Sequence, residues 1–242
     1  VSAGYERPMW FALDGEKSEY EYSYNYQNWY PSAEYETNNT IKNVGLFDLT
    51  PFSKFEIKSH RAHQELQRIC TANIKDEIGK CTYTHMLNSD AGIETDLTVV
   101  CIEKNHFRII SSAATRERDK FHINKHLSKE VKLKDITDDY CVFGLFGPKS
   151  RDLIKSISKD NFENKNFKFG TAKYITIDGI QIWAQRLSYV GELGYELYVK
   201  FDDAKKIYEL LIEKGKDFNL SNCGMHAMDI MRMESGFLHW GH

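Results

Sequence analysis

Long apolar segments are absent from the sequence. The best apolar run, Leu97 to Ile102, is interrupted by Thr98 and is far shorter than the roughly 18 residues that a membrane-spanning helix needs. Residues 1–8 contain neither an initiator methionine nor the apolar core of a signal peptide, and the chain stops in the turn-like stretch Leu238–His242. We therefore expect no membrane segment and a chain that is truncated at both ends.

Cysteine is scarce and positive charge is not concentrated. The five cysteines are odd in number and far apart, which argues against a disulfide framework and favours a reducing, cytoplasmic compartment. There are 32 lysines and arginines against 35 acidic residues, without a sustained basic run. This balance argues against nucleic acid or an anionic membrane as a partner and leaves a small charged ligand open.

Linkers rich in proline, glycine or serine are also missing between the two halves of the chain. Its 242 residues, 41% hydrophobic and 28% charged, suffice for one large domain or two intimately packed ones and exclude a disordered chain. At the N-terminus, every second residue from Tyr20 to Tyr26 is a tyrosine, which is typical of an extended segment on a surface. We therefore predict an N-terminal arm, residues 1–30, and one domain, residues 31–242.

The order of the predicted elements favours an α+β fold. Hydrophobic periodicity and turn residues predict helices over residues 31–45, 61–70, 115–127, 149–157 and 225–237 and one that begins at residue 202 or 203. They predict strands over residues 46–49, 52–58, 83–88, 95–102, 107–111, 141–146, 174–177 and 180–186. Because hairpin turns outnumber long crossovers, we predict two interlocked layers, each made of an antiparallel sheet and helices.

Several familiar sites are excluded by their spacing. Residues 144–150 end like a phosphate-binding loop, but Pro148 removes a backbone N–H that such a loop uses. Gly191 and Gly194 do not complete a dinucleotide-binding fingerprint. Two histidine pairs at helical spacing lack a cysteine or acid at a matching interval, so we predict no metal site; the pairs are His60/His63 and His122/His126.

Three segments carry acids and aromatic residues next to turns: residues 92–99, 186–198 and 231–236. They and the strand before them supply four acids, one guanidinium and three tyrosines, which are Asp96, Glu192, Glu196, Glu234, Arg232, Tyr83, Tyr189 and Tyr195. These groups could line a polar pocket. In the alternative interpretation, Arg232 forms a structural ion pair with one of these four acids and the tyrosines belong to the core.

Six ordered segments, spread over nearly the whole chain, carry a family resemblance. They are Ile41–Thr50, Tyr83–Asn88, Gly92–Val99, Leu145–Arg151, Ser188–Glu196 and Arg232–Gly236. Together they resemble the tetrahydrofolate-dependent aminomethyltransferase family of the glycine-cleavage T-protein. The opening Tyr5–Phe11 and the ending Leu238–His242 more specifically resemble the folate domain fused to dimethylglycine and sarcosine dehydrogenases.

The resemblance implies a folate-binding α+β fold with the pterin ring in a central hole. It implies a smaller C-terminal β domain after this fold, which we expect to lie outside the 242 residues. It also implies tetrahydrofolate as the cofactor, a small-molecule amine as the one-carbon donor, and a flavin oxidoreductase domain or subunit as a partner.

The resemblance further implies roles for individual residues. Asp96 matches the acid beside the reacting folate nitrogens, and Glu196 matches the acid that holds the pterin ring. The other residues expected at the folate site are Tyr83, Met86, Leu87, Thr98, Ser112, Tyr189, Glu192 and Arg232. Thr95 replaces the first of two paired acids typical of T-proteins, and Ser112 stands where many members have asparagine, so we expect the donor side of the pocket to differ.

The residue types suit this chemistry. A pterin edge presents an amino group and a ring N–H side by side, and one carboxylate such as Glu196 can accept both hydrogen bonds. Transfer of a one-carbon unit to a folate nitrogen moves a proton and passes through cationic character, for which a carboxylate such as Asp96 can serve as base and counter-charge.

We therefore predict tetrahydrofolate-dependent transfer of a methylene or aminomethyl unit, with Asp96 as the catalytic residue and an N-methylated glycine such as dimethylglycine or sarcosine as the donor. One alternative is a folate-binding regulatory module without catalysis, against which Asp96 argues because a pure binder needs no acid at the reacting nitrogens. A second is a folate-dependent demethylase of a sulfonium compound, which Thr95 leaves open.

Overall fold

A computed structural model describes residues 4–241, which form six α-helices and eleven strands. The helices are α1 (Tyr30–Lys42), α2 (Ala62–Ile69), α3 (Arg116–His126), α4 (Ser150–Ile157), α5 (Phe201–Gly215) and α6 (Met225–Glu234). The strands are β1 (Val44–Asp48), β2 (Ser53–Lys58), β3 (Cys81–Leu87), β4 (Ile93–Glu103), β5 (His106–Ser111), β6 (Leu133–Asp135), β7 (Tyr140–Phe146), β8 (Ala172–Ile177), β9 (Ile180–Gln185), β10 (Gly194–Lys200) and β11 (Leu220–Cys223).

The larger sheet has six strands in the order β11-β1-β7-β10-β9-β8. Only the pair β1 and β11 is parallel among these strands of the described chain. Strands β8 and β9 form a hairpin at Asp178 and Gly179, whose φ angles of 49° and 78° give the tight turn that suits the twist of two antiparallel strands. The outer face of this sheet packs against α4 and α5, where residues such as Leu197 and Ile207 are fully buried.

The smaller sheet has five antiparallel strands in the order β3-β4-β5-β2-β6. Side chains alternate between the two faces of each strand. On β4, Leu97 and Val99 point to the face that α2 and α3 cover, whereas Asp96, Thr98 and Val100 point to the other face. The polar and apolar residues of the second face therefore look toward the larger sheet.

A third apolar cluster fills the space where the two sheets face each other. It contains Val100 of β4, Phe47 of β1 and Tyr198 of β10, and Met228 and Met231 of α6 close it from one side. The inner faces of the two sheets and α6 thus border one common region, called the cleft below, and the inner faces carry Asp96 and Thr98 on β4 and Glu196 on β10.

The arm, as far as the structure describes it from residue 4 onward, contains no helix before α1. Backbone N–H groups of Met225 and His226 donate to the carbonyl oxygens of Pro8 and Met9, at 3.1 and 3.0 Å, so the arm is fixed at the start of α6. The side chain of Trp29 stacks on His226 with ring centroids 3.8 Å apart. Residues 1–3 of the predicted arm lie outside the described residues, and the boundary at residue 30 stays a prediction.

The predicted fold class is confirmed: two mainly antiparallel sheets pack with helices in an α+β arrangement. The sequence prediction missed β6, β10 and β11. None of the helices within residues 4–241 is long and apolar enough to cross a membrane.

Candidate functional site

Asp96 and Tyr83 form a hydrogen-bonded pair on the cleft side of the smaller sheet. Tyr83 lies opposite Thr98 in the β3–β4 register, and its hydroxyl donates to Oδ2 of Asp96 at 3.0 Å. Burial raises the pKa of Tyr83, and the negative charge of Asp96 and the hydrogen bond raise it further. Tyr83 is therefore held as a proton donor, and it orients one oxygen of a half-buried carboxylate.

Thr98 and Ser112 extend this polar edge. Thr98 is half-buried on the same face of β4 as Asp96. Ser112 follows β5 directly; its Oγ accepts a hydrogen bond from the Ala114 backbone N–H at 3.3 Å, and its carbonyl oxygen accepts one from the Ser53 hydroxyl at 3.0 Å. Ser112 thus caps a short turn, and its position at the end of β5 places it beside the polar edge.

Glu196 lies on the opposite wall of the cleft, in the middle of the larger sheet. Its side chain shares the inner face of β10 with Tyr198, whose hydroxyl donates to Oε2 of Glu196 at 2.9 Å. Burial raises the pKa of Glu196 to about 7, and the hydrogen bond from Tyr198 opposes this only partly. Glu196 as a whole residue is nevertheless only partly buried. A raised pKa in a residue that is only partly buried is typical of a carboxylate at the bottom of a cleft.

Tyr189 and Arg232 lie near the mouth of the cleft, next to the end of α6. The Tyr189 hydroxyl donates to the Leu238 carbonyl oxygen at 3.0 Å, and its ring stacks on Phe237 with centroids 6.0 Å apart. Burial raises the pKa of Tyr189, Arg232 opposes the rise, and Asp96 adds to it. The charges of Arg232 and Asp96 therefore both act on the Tyr189 hydroxyl.

Arg232 forms an ion pair, but its partner is not one of the four acids named in the sequence analysis. Its Nε donates to Oδ1 of Asp229 at 3.0 Å, one helical turn away, and its Nη1 donates to the Phe237 carbonyl oxygen at 3.3 Å. The partner is therefore none of the four acids proposed, because the geometry of α6 brings Asp229 closer. Arg232 fixes the segment after α6 to the helix end.

Glu192 lies in the turn before β10 rather than on the strand itself. Gly191 has φ of +78°, and a Cβ atom there would lie 2.1 Å from Oγ of Ser235, so the turn packs tightly against the end of α6. Glu192 is half-buried in this turn. The structure therefore separates Glu192 at the edge from Glu196 inside the cleft.

One of the expected residues, Met86, points away from the cleft. Met86 is fully buried in the cluster beneath α2 and α3, on the face of β3 opposite to Tyr83, because it is three residues further along the strand. Thr95 likewise points away from the cleft and is buried, so the missing second acid does not alter the cleft wall. Leu87 is exposed at the end of β3, after a register shift between Met86 and Leu87.

Sequence reasoning missed the charged residue that supports Tyr198. Arg108 lies on the cleft face of β5, almost fully buried, with its guanidinium 5.8 Å from the centroid of the Tyr198 ring. Its Nη2 donates to Oε1 of Glu56 at 2.8 Å. Burial would raise the pKa of Glu56, but hydrogen bonds from His106 and Arg108 outweigh it and hold this pKa at about 2. Arg108 could have been noticed in the sequence, because a charged residue within an otherwise apolar strand needs a partner.

Two carboxylates with different surroundings, Asp96 and Glu196, thus lie on opposite walls of the cleft. Buried side-chain donors without a partner in the described residues also face it, among them Nη1 of Arg108 and Nε1 of Trp183. Such orphaned donors are costly unless a ligand or water satisfies them. Within residues 4–241, no group of three or more histidine, cysteine or acidic side chains is placed to hold a metal ion.

Comparisons with known proteins agree with this architecture. The family described as GCVT N-terminal domain matches residues 1–242. The chain is 35% identical over 240 residues to 4-methylaminobutanoate oxidase (formaldehyde-forming) of Paenarthrobacter nicotinovorans, covering 99% of this chain and 29% of that protein. It is 31% identical over 242 residues to the mitochondrial dimethylglycine dehydrogenase of Rattus norvegicus, covering 99% of this chain and 28% of that protein.

Shorter relatives and solved structures match as well. An aminomethyltransferase of Halothermothrix orenii is 30% identical over 209 residues, which are 85% of this chain and 58% of that protein. The aminomethyltransferase T of the glycine cleavage system from Bartonella henselae superposes with a TM-score of 0.77 at 19% identity, covering 91% of this chain and 60% of that chain. The heterotetrameric sarcosine oxidase from Corynebacterium sp. U-96 superposes with a TM-score of 0.61 at 12% identity. This match covers 78% of this chain and 93% of that chain. The chain thus spans less than a third of the oxidase and dehydrogenase and under two thirds of the aminomethyltransferase.

Proposed function

Because the chain belongs to the GCVT N-terminal domain family, that of the glycine-cleavage T-protein, we propose that it binds tetrahydrofolate between its two sheets and transfers a one-carbon unit to it. The observation that carries this proposal is the Glu196 carboxylate on the inner face of the larger sheet, where burial raises its pKa to about 7 and the Tyr198 hydroxyl donates to it. When bound, tetrahydrofolate supplies the nitrogen atoms that receive the one-carbon unit.

Glu196 is suited to hold the pterin edge. Tyr198 occupies Oε2 of the carboxylate as a donor, and the two oxygens together have lone pairs left for the amino group and the ring N–H of a pterin. Hydrogen bonds to an ionised carboxylate are about twice as strong as neutral ones. Glu196 therefore supports both the orientation and the specificity of folate binding.

Asp96 is suited to manage the proton and the positive charge. Tyr83 holds Oδ2, which leaves Oδ1 to accept a proton or to stabilise cationic character near the folate nitrogens. Tyr83 keeps its own proton because its pKa is raised. Asp96 is thus the catalytic residue of the proposal, and Tyr83 is a positioning residue.

The donor in this proposal is an N-methylated amino acid, with dimethylglycine or sarcosine as the first candidates. Two relatives are named as a dehydrogenase of dimethylglycine and as an oxidase of 4-methylaminobutanoate. A flavin oxidoreductase domain or subunit would remove two electrons from the N-methyl amine and deliver the resulting one-carbon unit to this domain. A cytoplasmic location stays a prediction from the cysteines.

A specific observation argues against each of the two alternative functions. The hydrogen-bonded Asp96–Tyr83 pair at the cleft is unnecessary for a binding module without catalysis. The sulfonium alternative depended on Thr95 facing the donor, but this residue points away from the cleft. One-carbon transfer from an amine therefore remains the better supported proposal.

Asp96→Asn in the full chain with its flavin partner tests the function. We expect the wild type to convert sarcosine and tetrahydrofolate to methylene-tetrahydrofolate, and the variant to transfer about 10²–10⁴-fold more slowly and to release formaldehyde instead. Asp90→Asn, in the exposed turn before β4, is the matched control. A variant that loses folate affinity but keeps its rate at saturating folate would make Asp96 a binding residue.

A further inference from the structure

Gln185 lies directly beside Glu196 in the larger sheet. The two residues are partners in the register between β9 and β10. Directly opposite residues in adjacent strands project to the same face, so both side chains lie on the inner face of the larger sheet. Gln185 is 0% exposed to solvent, so its amide is removed from water.

The residues next to this pair on the adjacent strands have small side chains. Glu196 is also paired with Gly144 of β7, and Gln185 is paired with Ala172 of β8. The two polar side chains are thus flanked by glycine on one side and by the methyl group of alanine on the other. The polar pair therefore stands between residues whose own side chains contribute no polar groups.

The amide of Gln185 is only half satisfied. The Cys81 thiol donates toward Oε1 at 3.9 Å, whereas Nε2 has no hydrogen-bond partner among residues 4–241. A buried donor without an acceptor destabilises a fold, and an apolar side chain at this position would avoid the cost. A glutamine here is therefore explained if Nε2 acts on something that enters the cleft.

We propose that Gln185 recognises the ring carbonyl of the bound pterin, with Nε2 donating to that oxygen while Glu196 accepts from the neighbouring ring N–H and amino group. This inference rests on the proposed function. A pterin presents these three groups in a row as donor, donor and acceptor, and the neighbouring carboxylate and amide present acceptor, acceptor and donor. Gln185 then selects a 4-oxo pterin over a 4-amino one.

A purely structural role makes the opposite predictions. If an ordered water satisfied Nε2, the amide would contribute to the stability of the protein without ligand, and its removal would weaken the fold. If Nε2 instead binds the pterin, removal of the amide leaves the stability of the protein without ligand unchanged or raises it. The affinity for the pterin then falls.

Gln185→Met in the full chain separates the two roles. Three quantities are measured: the melting temperature without ligand, the dissociation constant of tetrahydrofolate, and that of its 4-amino analogue. We expect an unchanged or higher melting temperature, about tenfold weaker binding of tetrahydrofolate, and a smaller loss for the analogue. Gln181→Met, exposed on the same strand, is the control and should change none of them.

Gln185→Ala is the second variant, since alanine fits beside Ala172 without strain even if methionine does not. Unchanged tetrahydrofolate affinity in both variants, or a lower melting temperature with equal losses for both ligands, would overturn the inference and leave the proposed function standing. A wild type that binds no tetrahydrofolate would instead refute the proposed function, and this inference with it.

Discussion

Tyr83 and Asp96 meet across two adjacent strands, with the tyrosine hydroxyl 3.0 Å from Oδ2 of the carboxylate. The contact is diagonal, because Tyr83 is paired with Thr98 and His85 with Asp96. Diagonal neighbours on one face of a sheet are within reach of a long aromatic side chain. The rigid sheet thus fixes the direction of the carboxylate that we propose as the catalytic residue.

Tyr83→Phe should slow one-carbon transfer about tenfold while leaving the dissociation constant of tetrahydrofolate nearly unchanged, because it removes one hydrogen bond to a charged group. Single-turnover transfer and equilibrium binding measure the two effects separately. Tyr22→Phe, on the exposed part of the arm, is the control. A loss of affinity at an unchanged rate would assign Tyr83 to the wall of the folate site instead.

Folate affinity should depend on pH through Glu196. Burial raises the pKa of this carboxyl to about 7, so the acid is protonated below this value and loses its capacity to accept both pterin donors. We expect tetrahydrofolate to bind more tightly as pH rises from about 6 to about 8, and Glu196→Gln to abolish this trend. An identical pH trend in the variant would show that another group controls binding.

The same carboxyl should affect stability with the opposite sign. A raised pKa in the folded state means that folding takes up a proton between about pH 4.5 and about pH 7, so its contribution to stability is present below pH 4.5 and is lost through pH 7. Glu196→Gln should therefore flatten the fall in the free energy of unfolding over this window. Urea titrations at several pH values measure it, and Glu192→Gln should leave the slope as it is.

Arg108→Met should destabilise the domain by about 3 kcal/mol, because it leaves the partly buried Glu56 with His106 alone and removes the cation from the Tyr198 ring. Urea unfolding measures the loss. The double variant with Glu56→Gln should recover part of it, since no unpaired carboxylate then remains. A single variant as stable as the wild type would contradict a supporting role of this ion pair.

Much of the fold was predictable, because hairpins with period-two alternation reveal themselves locally. Strands β3, β4, β5, β8 and β9 were expected near their observed places. The short β6 and β11 carry too few residues for a periodic signal. Strand β10 was obscured because both of its faces are largely buried, so that no clear alternation accompanies the turn at Gly191 and Gly194.

The site was predictable only in part. The motifs pointed to Asp96, Tyr83, Tyr189 and Glu196; the structure joins Tyr83 to Asp96 by a hydrogen bond and Glu196 to Tyr198, and the role of these residues at a folate site stays a prediction. Met86 could have been recognised as a core residue, because its distance from Tyr83 along the strand is odd. Gln185 could not have been found, since its position beside Glu196 follows from the register of two strands, which the sequence does not specify.

The dissociation constants of tetrahydrofolate for Glu196→Gln and Glu192→Gln, measured in one buffer on the full chain, test the central claim most directly. We predict that Glu196→Gln loses about 30- to 1,000-fold in affinity, because a charge-assisted pair is lost and a new donor faces the pterin's donors. Glu192→Gln, at the edge of the cleft, should change affinity far less. A larger loss at residue 192 than at residue 196 would contradict the account.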